Sequence, residues 1–371
     1  MSEPAAQPSV PGPTARKVNT WAYTLVFCAL AVAAAGGYYF YEKSRNPLPP
    51  PVDEIKSLKD YVARLATTQK LADGYADADG DLVADRPADA SKLVKVGDEL
   101  VFSVVGTDDE KKLDEAEKGW ASFTAALAKA TGKKVKYARD LTSPEDQMAG
   151  IREGRLHITA FNTGAVPSAV NTAGFVPLFV PANDNGDYGY TVEVLVRADS
   201  DVTEPAQLKG RSVGFVALSS NSGAKAPMVE FKERFGLLPV RDYTFAITGS
   251  HDRSIRELAA GKHDAVCVAS DLMNDVLARP ANQGGVSKSA VRSVYSSKPF
   301  PQLCFGVPHN LPADLQKPIE QTFEAFKFAG TSVEGISVGR GRTKFIRVSY
   351  KTAWAPVREV DQKLTHLFDE K

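Results

Sequence analysis

From Leu100 onward, short β-branched runs alternate with amphipathic helical stretches, and this alternation restricts the chain to α/β architecture with mostly parallel sheets. The run LVFSVV precedes a helical pattern over 111–131, KVKYA one over 144–153, and LHITAF one over 164–172. Further strand candidates are TVEVLVRA, RSVGFVA, YTFAIT, DAVCVAS, RSVYSS and QLCFGV. The stretch from TVEVLV to DAVCVAS reads as a second α/β unit inserted in the first, and no internal repeat suggests otherwise. A length of 371 residues leaves room for two such units.

The first hundred residues have a different character. Residues 1–17 begin as a Pro-, Ala- and Ser-rich tail with no means of building a core. Residues 18–41 carry no charge and hold Trp21, Tyr23, Tyr38, Tyr39 and Tyr41 near their ends, which suits a single transmembrane helix with interfacial aromatics. The segment exits through GGYYFYEK instead of an A-x-A-like site, so it reads as a retained anchor and not a cleaved signal. Arg16 and Lys17 on one side and Lys43 and Arg45 on the other leave its orientation unset by charge. Residues 42–98 are expected to form a stalk and an acidic linker. NPLPPPV is a stiff spacer, and Val52, Ile55, Leu58, Val62 and Leu65 recur at helical spacing over 53–71. In DGYADADGDLVAD, Asp77, Asp79, Asp81 and Asp85 crowd around Gly80. The twelfth position counted from Asp77 is Ala88 instead of the glutamate of an EF-hand, which favours a solvated linker over structural calcium.

Composition removes several functions. Forty-five basic residues offset 45 acidic ones, and no basic run tracks a phosphate backbone, so nucleic acid is not an expected partner. Cys28, Cys267 and Cys304 lack metal-site spacing, and the last two fall in apolar strand-like runs as buried thiols. Neither a Gly-x-Ser-x-Gly elbow nor a Walker-type loop is read in the chain. GRGRTKF at 339–345 lacks the order of a nucleotide loop. His157, His263, His309 and His366 are scattered singly and read as structural or surface residues.

Three strand-to-helix junctions carry the chemistry. In SSNSGAKAP, Ser220, Asn221 and Ser222 offer hydroxyl and amide donors, Gly223 leaves space for a ligand, and Pro227 keeps the helix start close by. A helix N-terminus adds unpaired N–H groups and partial positive charge, so the junction can cradle an oxyanion without a metal; the plain alternative is an ordinary N-cap. In ITGSHD, Ser250 and His251 form a second such mouth, with His251 as an oxyanion donor or only a helix-start residue. In DAVCVASD, Asp271 either selects a ligand that carries a proton or caps its own helix. Tyr188 and Tyr190, just before a strand, are placed to close over a ligand.

Read in order, these segments resemble the phosphate/phosphite/phosphonate substrate-binding proteins of ABC transporters, which have the type 2 periplasmic-binding-protein fold. The strand, Ser-Thr-Ser-Gly and proline pattern of that family stands here as Ser220-Asn221-Ser222-Gly223 with Pro227, and Gly249-Ser250-His251-Asp252 is intact. The resemblance covers about 99–329. It implies a two-lobed α/β clamp, which here stands behind the N-terminal transmembrane helix read from 18–41, with residues 99–192 and 295–371 forming lobe 1 and 193–294 forming lobe 2. It also implies a small oxyanion ligand, an ABC permease as partner, neither catalysis nor a cofactor, and a site of Ser220, Asn221, Ser222, Gly223, Ser250, His251, Tyr190 and Asp271. The family's Phe-Gly-Pro is replaced by Phe161-Asn162-Thr163-Gly164, which puts Asn162 and Thr163 in the cleft wall, and Asn221 stands for the central threonine. The anchor departs from the family's common secreted or lipidated form; the family's location implies a periplasmic 50–371 portion, held by that single-pass anchor at the inner membrane, with the short N-terminus cytoplasmic. A sensing ectodomain is the alternative, and a serine hydrolase using Ser220 or Ser222 with His251 a more distant one. The tail, with Trp354, Val357, Val360, Leu364 and Leu367 at helical spacing, is expected to close on the first lobe.

Overall fold

The structure is a computed structural model in which residues 54–104 and 110–369 are described. The tail of 1–17 and the apolar segment 18–41 lie outside the described residues. Among the described residues no helix is long and apolar enough to cross a membrane.

The elements run α1 (Glu54–Thr67), β1 (Glu99–Val104), α2 (Glu110–Thr131), β2 (Lys134–Tyr137), α3 (Pro144–Arg152), β3 (Ile158–Phe161), α4 (Val166–Ala173) and β4 (Phe175–Ala182). They continue through β5 (Val192–Arg197), β6 (Ser212–Phe215), a π-turn (Asn221–Lys225), α5 (Ala226–Phe235), β7 (Thr244–Ile247), α6 (His251–Ala259), β8 (Ala265–Ala269) and α7 (Ser270–Ala278). The last are β9 (Val291–Ser296), β10 (Cys304–Pro308), α8 (Ala313–Ala325), β11 (Lys344–Arg347), α9 (Tyr350–Ala353) and α10 (Ala355–Thr365). Local chemistry accounts for many of the boundaries. Ser143 caps α3 by accepting the Asp146 N–H, with Pro144 in the first turn, and α5 ends on Gly236 in the left-handed region.

Two sheets result, in strand orders β11-β4-β10-β3-β1-β2 and β7-β6-β8-β5-β9. Both are mixed, which corrects the expectation of mostly parallel pairing. In the first sheet β1 is parallel to β2 and β3, whereas β10 is antiparallel to β3 and β4, and β11 is antiparallel to β4. In the second, β6 is parallel to β7 and β8, whereas β5 is antiparallel to β8 and β9. The physical reason is that the chain changes sheets twice, after β4 and after β9. A strand arriving from the other sheet enters without a βαβ crossover, so it is not held to the parallel sense.

The two crossing segments meet at an antiparallel bridge in which Tyr190 and Phe300 exchange both backbone hydrogen bonds, at 2.9 and 2.8 Å. Gly189 is required beside it: its φ is +99°, and a Cβ there would lie 2.6 Å from the Phe300 carbonyl oxygen. The first sheet rests on an aromatic core in which Phe179 and Phe323 stack at 4.8 Å and Trp120 meets Phe305 edge-on at 5.3 Å. Cys267 and Cys304 are buried thiols within the strands.

The N-terminal helix is not a free stalk. Leu58, Val62 and Leu65 face inward as their spacing predicts, but they are buried in the same core cluster as Val357, Val360 and Leu364 of α10. The helix and the aspartate loop belong to one compact unit, Glu54–Lys371. In that loop the carboxylates of Asp77, Asp79 and Asp81 converge and accept N–H groups of Asp81, Leu82 and Val83, while the Gly80 carbonyl accepts from Lys351 Nζ at 2.9 Å. The tail also departs from expectation. α10 packs on α5 of the second sheet as well as on α1, while Trp354 donates from Nε1 to the Thr163 carbonyl at 3.1 Å, so the tail bridges both halves.

Candidate functional site

At the end of β6 the chain passes through Val216–Ser220 into the π-turn, a geometry often found at functional positions. Ser220 is the cap. Its Oγ accepts the Gly223 N–H at 3.0 Å, and its carbonyl takes the N–H groups of Ala224 and Lys225 at 3.2 and 3.0 Å. The Ala226 N–H returns to the Asn221 carbonyl and closes the wide turn. The backbone N–H groups of Asn221 and Ser222 find no acceptor among the described residues, so both are available to an anion. Gly223 has a different role from the one expected. It does not line the cavity, and a Cβ on it would sit 2.4 Å from Val216 Cβ, so the glycine lets the loop fold back on its strand.

The other expected residues, Asn162, Thr163, Tyr190, Ser220, Asn221, Ser222, Ser250, His251 and Asp271, line one cavity of about 510 Å³ between the sheets. Tyr188 lies outside it and is exposed. Tyr190, at the bridge with Phe300, accepts from Asn221 Nδ2 at 3.0 Å, and burial pushes its hydroxyl up to about 12 despite the side chains of Thr163, Asn221 and Ser222 around it. Asn162 Oδ1 accepts the Ala165 N–H at 3.0 Å, which leaves the amide N–H groups of Asn162 without a partner among the described residues. Thr163 is committed to the wall, donating to the Pro301 carbonyl at 2.8 Å.

Ser250 caps α6 by accepting the Arg253 N–H at 3.1 Å, and His251 opens the helix. The Ala269 N–H donates to His251 Nδ1 at 3.2 Å, which places the hydrogen of the neutral ring on Nε2. Burial lowers the imidazole to about 4, so at neutral pH the ring is an uncharged donor. No hydrogen bond joins His251 to Ser220 or Ser222. The string Gly210-Arg211-Ser212-Val213-Gly214 does spell a Gly-x-Ser-x-Gly pattern, but it opens β6, and the Ser212 hydroxyl donates to Asp264 at 2.9 Å outside the cavity. It makes no nucleophile elbow. His157 is structural: its Nδ1 accepts the Val101 N–H at 2.9 Å.

Asp271 has a counter-ion that its place after β8 does not reveal. Burial raises its pKa, and Arg342 Nη2, brought from the loop before β11, opposes this from 3.6 Å. The same Nη2 donates to Gln302 Oε1 at 2.7 Å, and the neighbouring Arg340 pairs with Asp275 of α7 at 2.9 Å. Arg342 and Gln302 both line the cavity and were not singled out from the sequence, because GRGRTKF carries no motif and its approach to α7 is a tertiary event. A second unanticipated group lies under the π-turn. Lys225 Nζ donates to Asp361 Oδ1 of α10 at 2.5 Å and to the Gly164 carbonyl at 2.8 Å, and both ionic side chains are 1% exposed. Gly164 packs so closely on the loop that a Cβ would lie 2.3 Å from the Ser219 oxygen and 2.8 Å from the Asn221 nitrogen.

The arrangement is a cradle of neutral donors, two backbone N–H groups and an imidazole N–H, with hydroxyls around it. It suits a tetrahedral oxyanion held by hydrogen bonds. Comparison with solved structures gives the same architecture. A binding-protein component of an ABC phosphonate transporter from Pseudomonas aeruginosa superposes with a TM-score of 0.60 at 16% identity, over 72% of this chain and 87% of that one. A Prochlorococcus marinus protein in complex with methylphosphonate gives 0.58 at 17% identity, over 72% and 98%. A Xanthomonas citri protein bound to ATP gives 0.59 at 17%, over 74% and 99%. These likenesses show the two-lobed α/β periplasmic-binding-protein fold. The model of the family described as ABC transporter, phosphonate, periplasmic substrate-binding protein matches residues 110–353, about two thirds of the chain. The chain therefore belongs to the phosphonate periplasmic substrate-binding proteins of ABC transporters, and its cleft is that of a binding protein and not of an enzyme.

Proposed function

We propose that this protein captures phosphate, phosphite or a phosphonate in the interlobe cavity and delivers it to an ABC permease, with residues 18–41 tethering it to the inner membrane and the binding domain in the periplasm. The observation that carries the reading is the pair of unengaged N–H groups at Asn221 and Ser222, which share one cavity with the Nε2–H of His251. Ser220, Asn221, Ser222, Ser250, His251, Tyr190, Asn162 and Thr163 surround the oxyanion, with Gly223 shaping the loop. Asp271, balanced by Arg342, faces the rest of the ligand. Lobe 1 corresponds to 99–192 and 295–371, and lobe 2 to 193–294.

Calorimetric titration of the full chain, purified in mild detergent and freed of carried-over ligand, tests this with phosphate, phosphite, methylphosphonate, 2-aminoethylphosphonate and sulfate. Micromolar or tighter binding of a phosphorus oxyanion, weakened at least tenfold in Ser222→Ala and His251→Ala, is the expected result. Failure of every phosphorus ligand would overturn it. Co-purification with a permease rather than a histidine kinase separates delivery from sensing.

A further inference from the structure

The cavity is much larger than the anion it is proposed to hold. Methylphosphonate has five heavy atoms and fills on the order of 100–150 Å³, at roughly 20–30 Å³ per heavy atom. The cavity measures about 510 Å³. The surplus also has a direction. Leu272, Val276 and Arg279 line it at i, i+4 and i+7, one face of α7 continued to its C-cap. Seven residues of helix rise about 10 Å, so the space runs from the oxyanion loop past two turns of α7. Leu303, just before β10, and Val338, in the loop before β11, form the facing wall. At the far end the Arg279 Nε is buried without an acceptor, while Arg279 Nη1 holds Asp252 at 3.3 Å. The lining along α7 and the Leu303–Val338 wall is thus mainly apolar, with Asp271 and its counter-ion Arg342, Gln302 and Ser337 as its polar members.

Apolar walls in a wet cleft bind little unless an apolar group displaces the water. A phosphate, phosphite or methylphosphonate would occupy the donor cradle and leave Leu272, Val276, Leu303 and Val338 against solvent. We infer that the ligand is an R–PO₃ compound, an organophosphonate or a phosphate monoester, whose apolar substituent R has four or more carbons and lies between α7 and the Leu303–Val338 wall. This rests on the oxyanion reading above and adds the class of substituent. Both sources of the R–PO₃ group present the same three oxygens to the cradle, and they differ only in whether carbon or oxygen joins R to phosphorus.

Calorimetry on the full chain with methyl-, ethyl-, propyl- and butylphosphonate, and with butyl phosphate, tests it. Each methylene buried on the apolar wall is expected to tighten binding roughly three- to fourfold, so butylphosphonate should bind at least tenfold more tightly than methylphosphonate. Leu272→Trp and Val338→Trp, which fill the channel from opposite walls, should each reduce that butyl-to-methyl ratio at least fivefold. The ratio is read within one protein, and either variant suffices should the other not fold. Tighter binding of butyl phosphate than of butylphosphonate would assign the ester; the reverse would assign the phosphonate. Methylphosphonate binding within threefold of butylphosphonate would overturn this inference while leaving the oxyanion site in place. No binding by any phosphorus ligand would overturn both.

Discussion

Lys225 and Asp361 form an ion pair at 2.5 Å with each side chain 1% exposed, and this pair joins the oxyanion loop to the C-terminal helix. Lys225 also holds the Gly164 carbonyl, so one ammonium fixes the loop of the second lobe against the wall of the first. Removing one partner leaves the other charge buried and unpaired. Lys225→Met is expected to cost about 3–5 kcal/mol and to lower the thermal midpoint by on the order of 10 °C. The double variant Lys225→Met/Asp361→Leu should recover a large part of that loss. Unfolding curves of the single and double variants check this, and additivity of the two losses would count against the pair.

His251 makes stability depend on pH. The folded-state imidazole is lowered to about 4, against an ordinary value near 6.5 in the unfolded chain. Between those values the unfolded state binds the extra proton, so stability is fully present above about pH 6.5 and is lost as pH falls toward 4. The loss assignable to this residue is about 2.5 kcal/mol between pH 7.5 and 4.5. His157, also lowered to about 4 by burial, adds a loss in the same window. Denaturant titrations at several pH values should show a flatter profile for His251→Gln than for the parent; identical slopes would exclude the assignment.

Two glycines near the cavity should respond very differently to alanine. Gly164→Ala places a methyl 2.3 Å from the Ser219 oxygen, within backbone that cannot yield without moving the oxyanion loop. Ligand affinity should fall by about a hundredfold. Gly249 has φ +86° and nothing within 4 Å of its would-be Cβ, so Gly249→Ala meets only backbone strain of about 1–2 kcal/mol. Its affinity should stay within a few-fold of the parent. Titration of both variants with one oxyanion decides it, and equal losses would argue against the close approach at Gly164.

The N-terminal helix offers a direct test of docking. Leu58 is 1% exposed, so Leu58→Ala is expected to destabilise the whole unit by about 2–4 kcal/mol. On a free-standing stalk the same change would leave global unfolding unaltered, and a null shift in the thermal midpoint would restore that picture.

The alternation of strand and helix, the inward spacing of Leu58, Val62 and Leu65, and the junctions at Ser220–Gly223 and Ser250–His251 are local properties. They depend on residue periodicity and on cap chemistry within a few positions, so they were legible from the chain alone. The same holds for burial of Cys267 and Cys304 in apolar runs. Strand sense, however, was set by where the chain changes sheets. The role of Gly223 was decided by the close approach of Val216, which leaves no room for a Cβ, and the counter-ion of Asp271 by a loop some seventy residues later in sequence. The partner of Lys225 is likewise set by α10, which brings Asp361 to it across 136 positions. Sequence alone determined which groups could donate to an anion. Only the tertiary structure decided which of them converge, because convergence depends on packing between segments that share no local pattern.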